Sequence, residues 1–286
     1  MKKILYILPV LLLATLSCSK EPVKTDANDI KFQIGLPGTK ATASAFESGD
    51  AISLYAVERE GGEQMPLQVG GNFINNERLA YNGSAWGAGR TLYWSDKACD
   101  FYGVYPYQAS IGSIEKYPFT VAMNQDGPGY EASDLLYAYT PNVTRAGGPV
   151  ALQFKHVLSK LVVCLEKGPK YEGEIPDDVV AHIYNTVGSC FFDLTHGSVE
   201  KDAFGARNTI TMHKIDNSTF EAVLVPQNLE RKTPLVELTM GGIAYLLEYS
   251  LSFRAGYVHT ITVTLNTSPD QEQIAIDIDP GVDNWN

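Results

Sequence analysis

Cysteine is scarce in this 286-residue chain. The four present, Cys18, Cys99, Cys164 and Cys190, have neither the short spacing of a zinc site nor the arrangement of a disulfide framework. Without Cys18 three remain, so one disulfide is the most that could form, and three buried thiols is the simpler reading. Histidine is sparse as well, and His156, His182, His196, His213 and His259 share no spacing that suggests a metal site. No Gly-x-Ser-x-Gly nucleophile elbow, His-Glu-x-x-His pair or phosphate-cradling glycine loop occurs. Basic residues are outnumbered, 22 Lys and Arg against 33 Asp and Glu, for a net charge of −11. An acidic surface repels phosphodiester backbones and anionic headgroups, so nucleic acid is not expected as a partner. Sustained helical periodicity is missing, which leaves room only for a turn or two of helix, near 154–159 and around "SDLLYA".

The chain opens with two lysines, a 13-residue apolar run from Ile4 to Leu16, and small residues up to Cys18. The run is shorter than the roughly 20 residues that a spanning helix needs, and it has the order of a secretory signal peptide over residues 1–17. Cys18, between Ser17 and Ser19, resembles the lipobox cysteine of bacterial lipoproteins, the residue that is acylated and becomes the first of the mature chain. Acyl chains, palmitate among them, contribute about 0.8 kcal/mol per buried CH₂, so two or three of them anchor stably. Residues 18–28 are short and charged, as suits a lipidated tether, and "CSKEP" matches in part the surface-export signal of Bacteroidota lipoproteins. Loss of Lys2 and Lys3 with the leader takes the net charge to −13.

Beyond the tether, short β-branched and aromatic runs are separated by Gly, Pro, Asn or Asp. "AISLYAV" (51–57), "CDFYGVYPY" (99–107), "LVVCLE" (161–166), "FEAVLVP" (220–226), "LVELTM" (235–240), "IAYLLEYSL" (243–251) and "YVHTITVTL" (257–265) are the clearest. Repeated short strands with turn punctuation predict an all-β sandwich architecture. The 16 tyrosines fall mostly within these runs, as half-buried strand positions with a wet hydroxyl. A Pro- and Gly-rich break at "TPNVTRAGGPV" (140–150) divides the chain into 29–146 and 147–270, each of ordinary domain size, followed by a tail, 271–286.

Two constellations invite a chemical reading. His156 and Cys164, in "ALQFKHVLSKLVVCL" (151–165), could meet as base and thiolate, but a cysteine inside an apolar strand keeps a high thiol pKa and is inert. The segment reads instead as the start of the second domain, with Phe154, Leu158, Leu161 and Val163 in its core. Asp277, Asp279 and Asp283 have calcium-loop spacing, but the glycine at the sixth position and the glutamate at the twelfth are missing, so no metal is expected there. The same tail places Ile274, Ile276 and Ile278 on one face of a strand. That strand could pair within its own domain, or add to a groove in a neighbouring subunit.

Taken in order, "ATASAFESGDAISLYAV" (41–57), "YNGSAWGAGRTLYW" (81–94), "DFYGVYPY" (100–107), "SDLLYA" (133–138), "VALQFKHVLSKLVV" (150–163), "GSCFFDLTHGSV" (188–199), "VLVPQN" (223–228) and "FRAGYVHTITVTL" (253–265) resemble the fimbrillin-like family of Bacteroidota, the lipoprotein subunits of pili built outside the outer membrane. The resemblance implies two tandem transthyretin-like β-sandwich domains, no enzymatic activity and no cofactor. It also implies, for stalk members, cleavage after a basic residue in the loop behind the first strand, followed by strand exchange between subunits. Here the first strand is "DIKFQIGL" (29–36) and the basic residue is Lys40, where the family more often has arginine. The expected role is a fimbrial subunit or an accessory or tip adhesin at the cell surface. Its partners would be other subunits, the outer membrane through a lipid anchor, and a host or bacterial surface glycan or protein as receptor. The alternative is a non-polymerising glycan-binding lipoprotein of the outer surface.

Overall fold

The computed structural model describes residues 28–36, 46–266 and 276–285, so that Cys18, Lys40 and Ile274 lie outside the described residues. It is nearly all β, as the sequence predicts. The first half holds β1 (Phe32–Gly35), β2 (Ala51–Glu60), β3 (Glu63–Gln64), β4 (Ile74–Tyr81) and β5 (Trp86–Ala88). After these come β6 (Cys99–Tyr105), β7 (Tyr117–Thr120), a single-turn helix α1 (Pro128–Ala132), β8 (Leu136–Val143), β9 (Val150–Gln153) and β10 (Lys155–His156). The second half begins with β11 (Ser159–Lys167), β12 (Val180–Val187), β13 (Ser189–Asp193), β14 (Ser198–Lys201) and β15 (Arg207–Thr211). It continues with β16 (His213–Lys214), β17 (Thr219–Leu224), β18 (Gln227–Met240), β19 (Ile243–Phe253), β20 (Tyr257–Leu265) and β21 (Ile276–Asn284). Of the helical turns expected, the one around "SDLLYA" is present as α1, which ends at the Ser133 cap directly before β8, whereas 154–159 carries no helix because Lys155 and His156 pair with Tyr137 and Leu136 of β8.

The first half is organised on one sheet of order β10-β8-β6-β2-β4-β5, with β3 added to β2. β2 is buried without a break from Ala51 to Val57 because both faces of this sheet are covered. Ile52, Leu54 and Ala56 enter a smaller apolar cluster, while Tyr55 and Val57 enter a larger one. The second half has two sheets, β16-β17-β11-β20-β21 and β15-β12-β18-β19. Leu161, Val163, Ile261 and Val263 of the first share the larger cluster with Ile183, Val236 and Leu238 of the second, which makes a sandwich. The β18–β19 hairpin turns through Gly241 and Gly242, both at positive φ (55° and 78°), the backbone that a tight two-residue hairpin turn requires.

Pairings cross the expected border at 146/147 in both directions. β7 pairs with β13 of the second half, and Gln125 makes a strand-like pair of hydrogen bonds with Val223, donating from Nε2 to its carbonyl and accepting its N–H, both at 2.8 Å. Conversely β9 pairs with β1, and β10 with β8. Phe154, expected in the core of the second domain, packs instead in the smaller, first-half cluster, whereas Leu158, Leu161 and Val163 join the larger one as expected. The reason is a slot: Gly103 leaves room for the Phe154 ring, which lies 2.6 Å from where a Cβ would stand.

Candidate functional site

Two strands near the two ends of the chain lie at sheet edges, and each is held differently. β1 runs parallel to β9, in register from Phe32 opposite Val150 to Gly35 opposite Gln153. Its lead-in is stitched to the segment after β5, with the Ile30 N–H donating to the Leu92 carbonyl (2.8 Å) and the Trp94 N–H to the Asn28 carbonyl (2.9 Å). Beyond that stitch β1 and the β4–β5 hairpin part, leaving a groove of about 1030 Å³. Ile34, Leu36, Phe46, Tyr81 and Trp86 supply its apolar wall, and Asp29, Lys31 and Arg90 its charged rim. The aromatic wall is ordered by ring contacts: Phe46 meets Trp86 edge-on at 4.8 Å and Phe154 at 5.7 Å. The side chains of β1 are half-buried or exposed, so it lies over the first-half sheet as a cover and not as a core strand.

At the other end, β21 pairs antiparallel with β20 over nine residues, from Leu265 opposite Ile276 to Tyr257 opposite Asn284. Ile276 and Ile278 therefore stand on a strand that pairs within its own chain here. The acidic "DIDPGVD" stretch has strand backbone, in keeping with the alternation read from the sequence. Residues 281–284 are exposed, but Trp285 is only 2% exposed. An indole buries about 150–250 Å², which at about 25 cal/mol per Å² is at most about 4–6 kcal/mol. That makes Trp285 the largest described side-chain contribution to holding the tail.

Sequence reasoning missed the socket beneath this indole. The Trp285 ring stacks on His156, centroids 3.8 Å apart and planes 7° from parallel, with Lys160 Nζ 5.7 Å from the ring centroid. His156 Nδ1 is 2.9 Å from an Asp134 carboxylate oxygen. Lys160 is 2% exposed and donates to Glu221 (3.3 Å), whose second oxygen accepts the Tyr130 hydroxyl at 2.7 Å. Burial pulls the Lys160 ammonium below its ordinary pKa, and Glu221 works against that fall. The only sequence signal for the socket was a tryptophan in an otherwise polar ending, "GVDNWN".

His156 is thus held by a carboxylate and an indole. Cys164 lies among Glu166, Glu221 and Asp216, and burial followed by these acids raises its thiol pKa, the opposite of what a nucleophilic thiolate needs. Burial pushes the Cys99 thiol up to about 11 and the Cys190 thiol to about 12.

A family model described as fimbrillin-like matches residues 39–285. Among solved structures, the chain is similar to a proposed cell adhesion protein of Bacteroides uniformis, with 21% identity and a TM-score of 0.69 over 91% of this chain and 100% of that one. A proposed cell adhesion protein of Bacteroides ovatus is similar at 16% identity and a TM-score of 0.72, over 91% of this chain and 99% of the other. A fimbrial protein of Bacteroides ovatus matches at 17% identity and a TM-score of 0.56, with 86% of this chain aligned to 52% of that one. No curated protein matches the chain.

Proposed function

The chain belongs to the fimbrillin-like family, and from that premise we propose that it is a non-enzymatic subunit of a surface fimbria, a stalk component or an accessory or tip adhesin, that contributes to cell adhesion. It is exported as an outer-membrane lipoprotein acylated at Cys18 and joins its neighbours by strand exchange. Two tandem sandwich domains, 29–146 and 147–270, form its body, with the seam interlocked by β7, β9 and β10.

The observation that carries this reading is the seat of β1: a four-residue parallel strand lying over an apolar sheet, beside an open groove. Cutting behind such a strand, at Lys40, would free a short cover and expose unpaired backbone of β9 together with the wall around Phe154. Such an edge is costly until another strand fills it. The donor would be the tail carrying Ile274, Ile276 and Ile278. Incubation of the mature chain with a trypsin-like protease tests the scheme. Loss of residues up to Lys40 followed by ladders on a mild SDS gel supports it, and a cleaved chain that stays monomeric sinks it. Deleting residues 271–286 should leave a folded monomer that no longer joins chains.

A further inference from the structure

The side chains at 281–284 are exposed and give that part of β21 little apolar grip on the body of the protein. Directly after them the chain turns inward. The Trp285 N–H donates to the Gly256 carbonyl (2.9 Å), and the Gly256 N–H donates to the Leu158 carbonyl (2.7 Å), which ties the end of the tail to the start of β11. The indole then enters a socket whose parts come from segments far apart in sequence: Tyr130 and Asp134 around the end of α1, His156 on β10, Lys160 on β11 and Glu221 on β17. Each member is fixed by another: His156 by Asp134, and Lys160 by Glu221, which the Tyr130 hydroxyl holds in turn. A flat stack with a buried ammonium near its ring is a preformed aromatic seat.

The geometry points to a latch: we propose that the Trp285 socket keeps the C-terminal strand in its own subunit, and that withdrawal of this indole is the step that frees the strand for a second copy of the chain. The inference rests on the reading of the tail as a donor. Trp285 sits at the end of β21 away from its connection to β20, so the ladder opens from Asn284 towards Ile276 once the indole leaves. Until then one edge of β21 is engaged with β20, so the strand cannot leave to fill the groove of a second copy. The socket joins elements of both halves of the chain, so any rearrangement of the β8–β10 region would be felt at the indole. His156 and Lys160 act here as positioning residues for Trp285.

Hydrogen–deuterium exchange of the full chain, read by mass spectrometry over 257–265 and 276–284, tests the latch. Trp285→Ala should speed exchange in these two strands by about a hundredfold, with peptides from β2 and β6 unchanged. His156→Ala should act in the same direction, while His156→Phe, which keeps a flat ring under the indole, should stay within about tenfold of the parent. Tail amides in Trp285→Ala as slow as in the parent would overturn the latch. So would faster exchange throughout the chain, since Trp285 would then be a residue of the global core. The same samples, treated with a trypsin-like protease and sized by chromatography, separate the two readings. A freed tail with faster oligomer growth supports both, a freed tail with no oligomers keeps the latch and removes strand donation, and a protected tail with ordinary oligomers removes the latch alone.

Discussion

β1 and β21 are both edge strands near chain ends, but one is held chiefly by what lies under it and the other by what stands at its end. β1 offers only four residues of parallel pairing, and its hold comes from an apolar bed shared with β9. β21 has more than twice the backbone pairing and one buried aromatic beyond it. The difference matters for the proposed exchange between subunits. Removing a cover leaves an apolar slot that must be refilled, whereas withdrawing β21 breaks a backbone ladder and, among the described side chains of the tail, draws the buried Trp285 from its socket. A receiving site of the first kind and a donating strand of the second would suit the proposed joint, because an emptied slot with unpaired backbone favours refilling.

The largest break in this contrast should come from Phe154, whose ring fills the slot over Gly103 and touches Phe46 on the groove wall. Phe154→Ala should cost about 3–5 kcal/mol by urea denaturation, through lost burial and the cavity left behind. A cost below about 1 kcal/mol would mean that the bed beneath β1 is not what supports the first-half sheet. Next comes the socket. Lys160→Met removes one member of a buried ion pair and leaves Glu221, among the described residues, with the Tyr130 hydroxyl. Breaking such pairs costs about 3–5 kcal/mol, and because Glu221 is still 12% exposed the lower end, about 3 kcal/mol, is expected. Lys160→Met with Glu221→Leu should recover most of that loss, since no unpaired charge then remains buried.

How much of this was legible in the sequence follows from which forces act locally. Strand positions were readable because period-two alternation and turn glycines are local: "LVELTM", Gly241–Gly242 and "IAYLLEYSL" form a hairpin in the sequence and in the fold. The break at 140–150 was readable from composition, but the pairings across it were not, because composition says nothing about which sheet a strand will join. β7 and β9 each pair across it through contacts far apart in the chain. The tail's strand character was visible in "QIAIDID", but its anchor was not. Trp285 matters only because residues 130, 134, 156, 160 and 221 converge on one place, and no spacing along the chain encodes that convergence.

A smaller effect touches the β20 side of the tail. His259, 1% exposed and in register between Leu161 and Val282, accepts the Arg254 N–H at Nε2 (3.0 Å) and packs edge-on against Phe253. Burial first, and the Arg254 charge second, lower its pKa below the ordinary 6.5. The folded chain therefore binds this proton more weakly than the unfolded one. Stability is full above about pH 6.5 and falls as the pH drops below it, with a slope of at most about 1.4 kcal/mol per pH unit from this group. Melting temperatures taken from pH 7.5 to 5 should show a shallower fall in His259→Gln than in the parent. Equal slopes would place the acid sensitivity elsewhere.

The smallest effect should be at the groove rim, and it sharpens the contrast with the socket. Arg90 pairs with Glu77 at 2.8 Å, as Lys160 pairs with Glu221 at 3.3 Å, yet the Arg90 side chain is 63% exposed where that of Lys160 is 2% exposed. By distance alone the rim pair would be the stronger. Water screens it, and both partners give up rotamer freedom to form it, so exposed pairs of this kind contribute about 0–1 kcal/mol. Arg90→Ala should therefore shift the urea midpoint by a tenth or two of a molar at low salt and by nothing measurable at 0.5 M sodium chloride, while the Lys160→Met loss should survive the added salt. A salt-resistant loss at Arg90 of 2 kcal/mol or more would be about twice the exposed-pair range. It would mean that the groove beside β1 is closed over in solution, and that the two edges of this molecule are held by the same means after all.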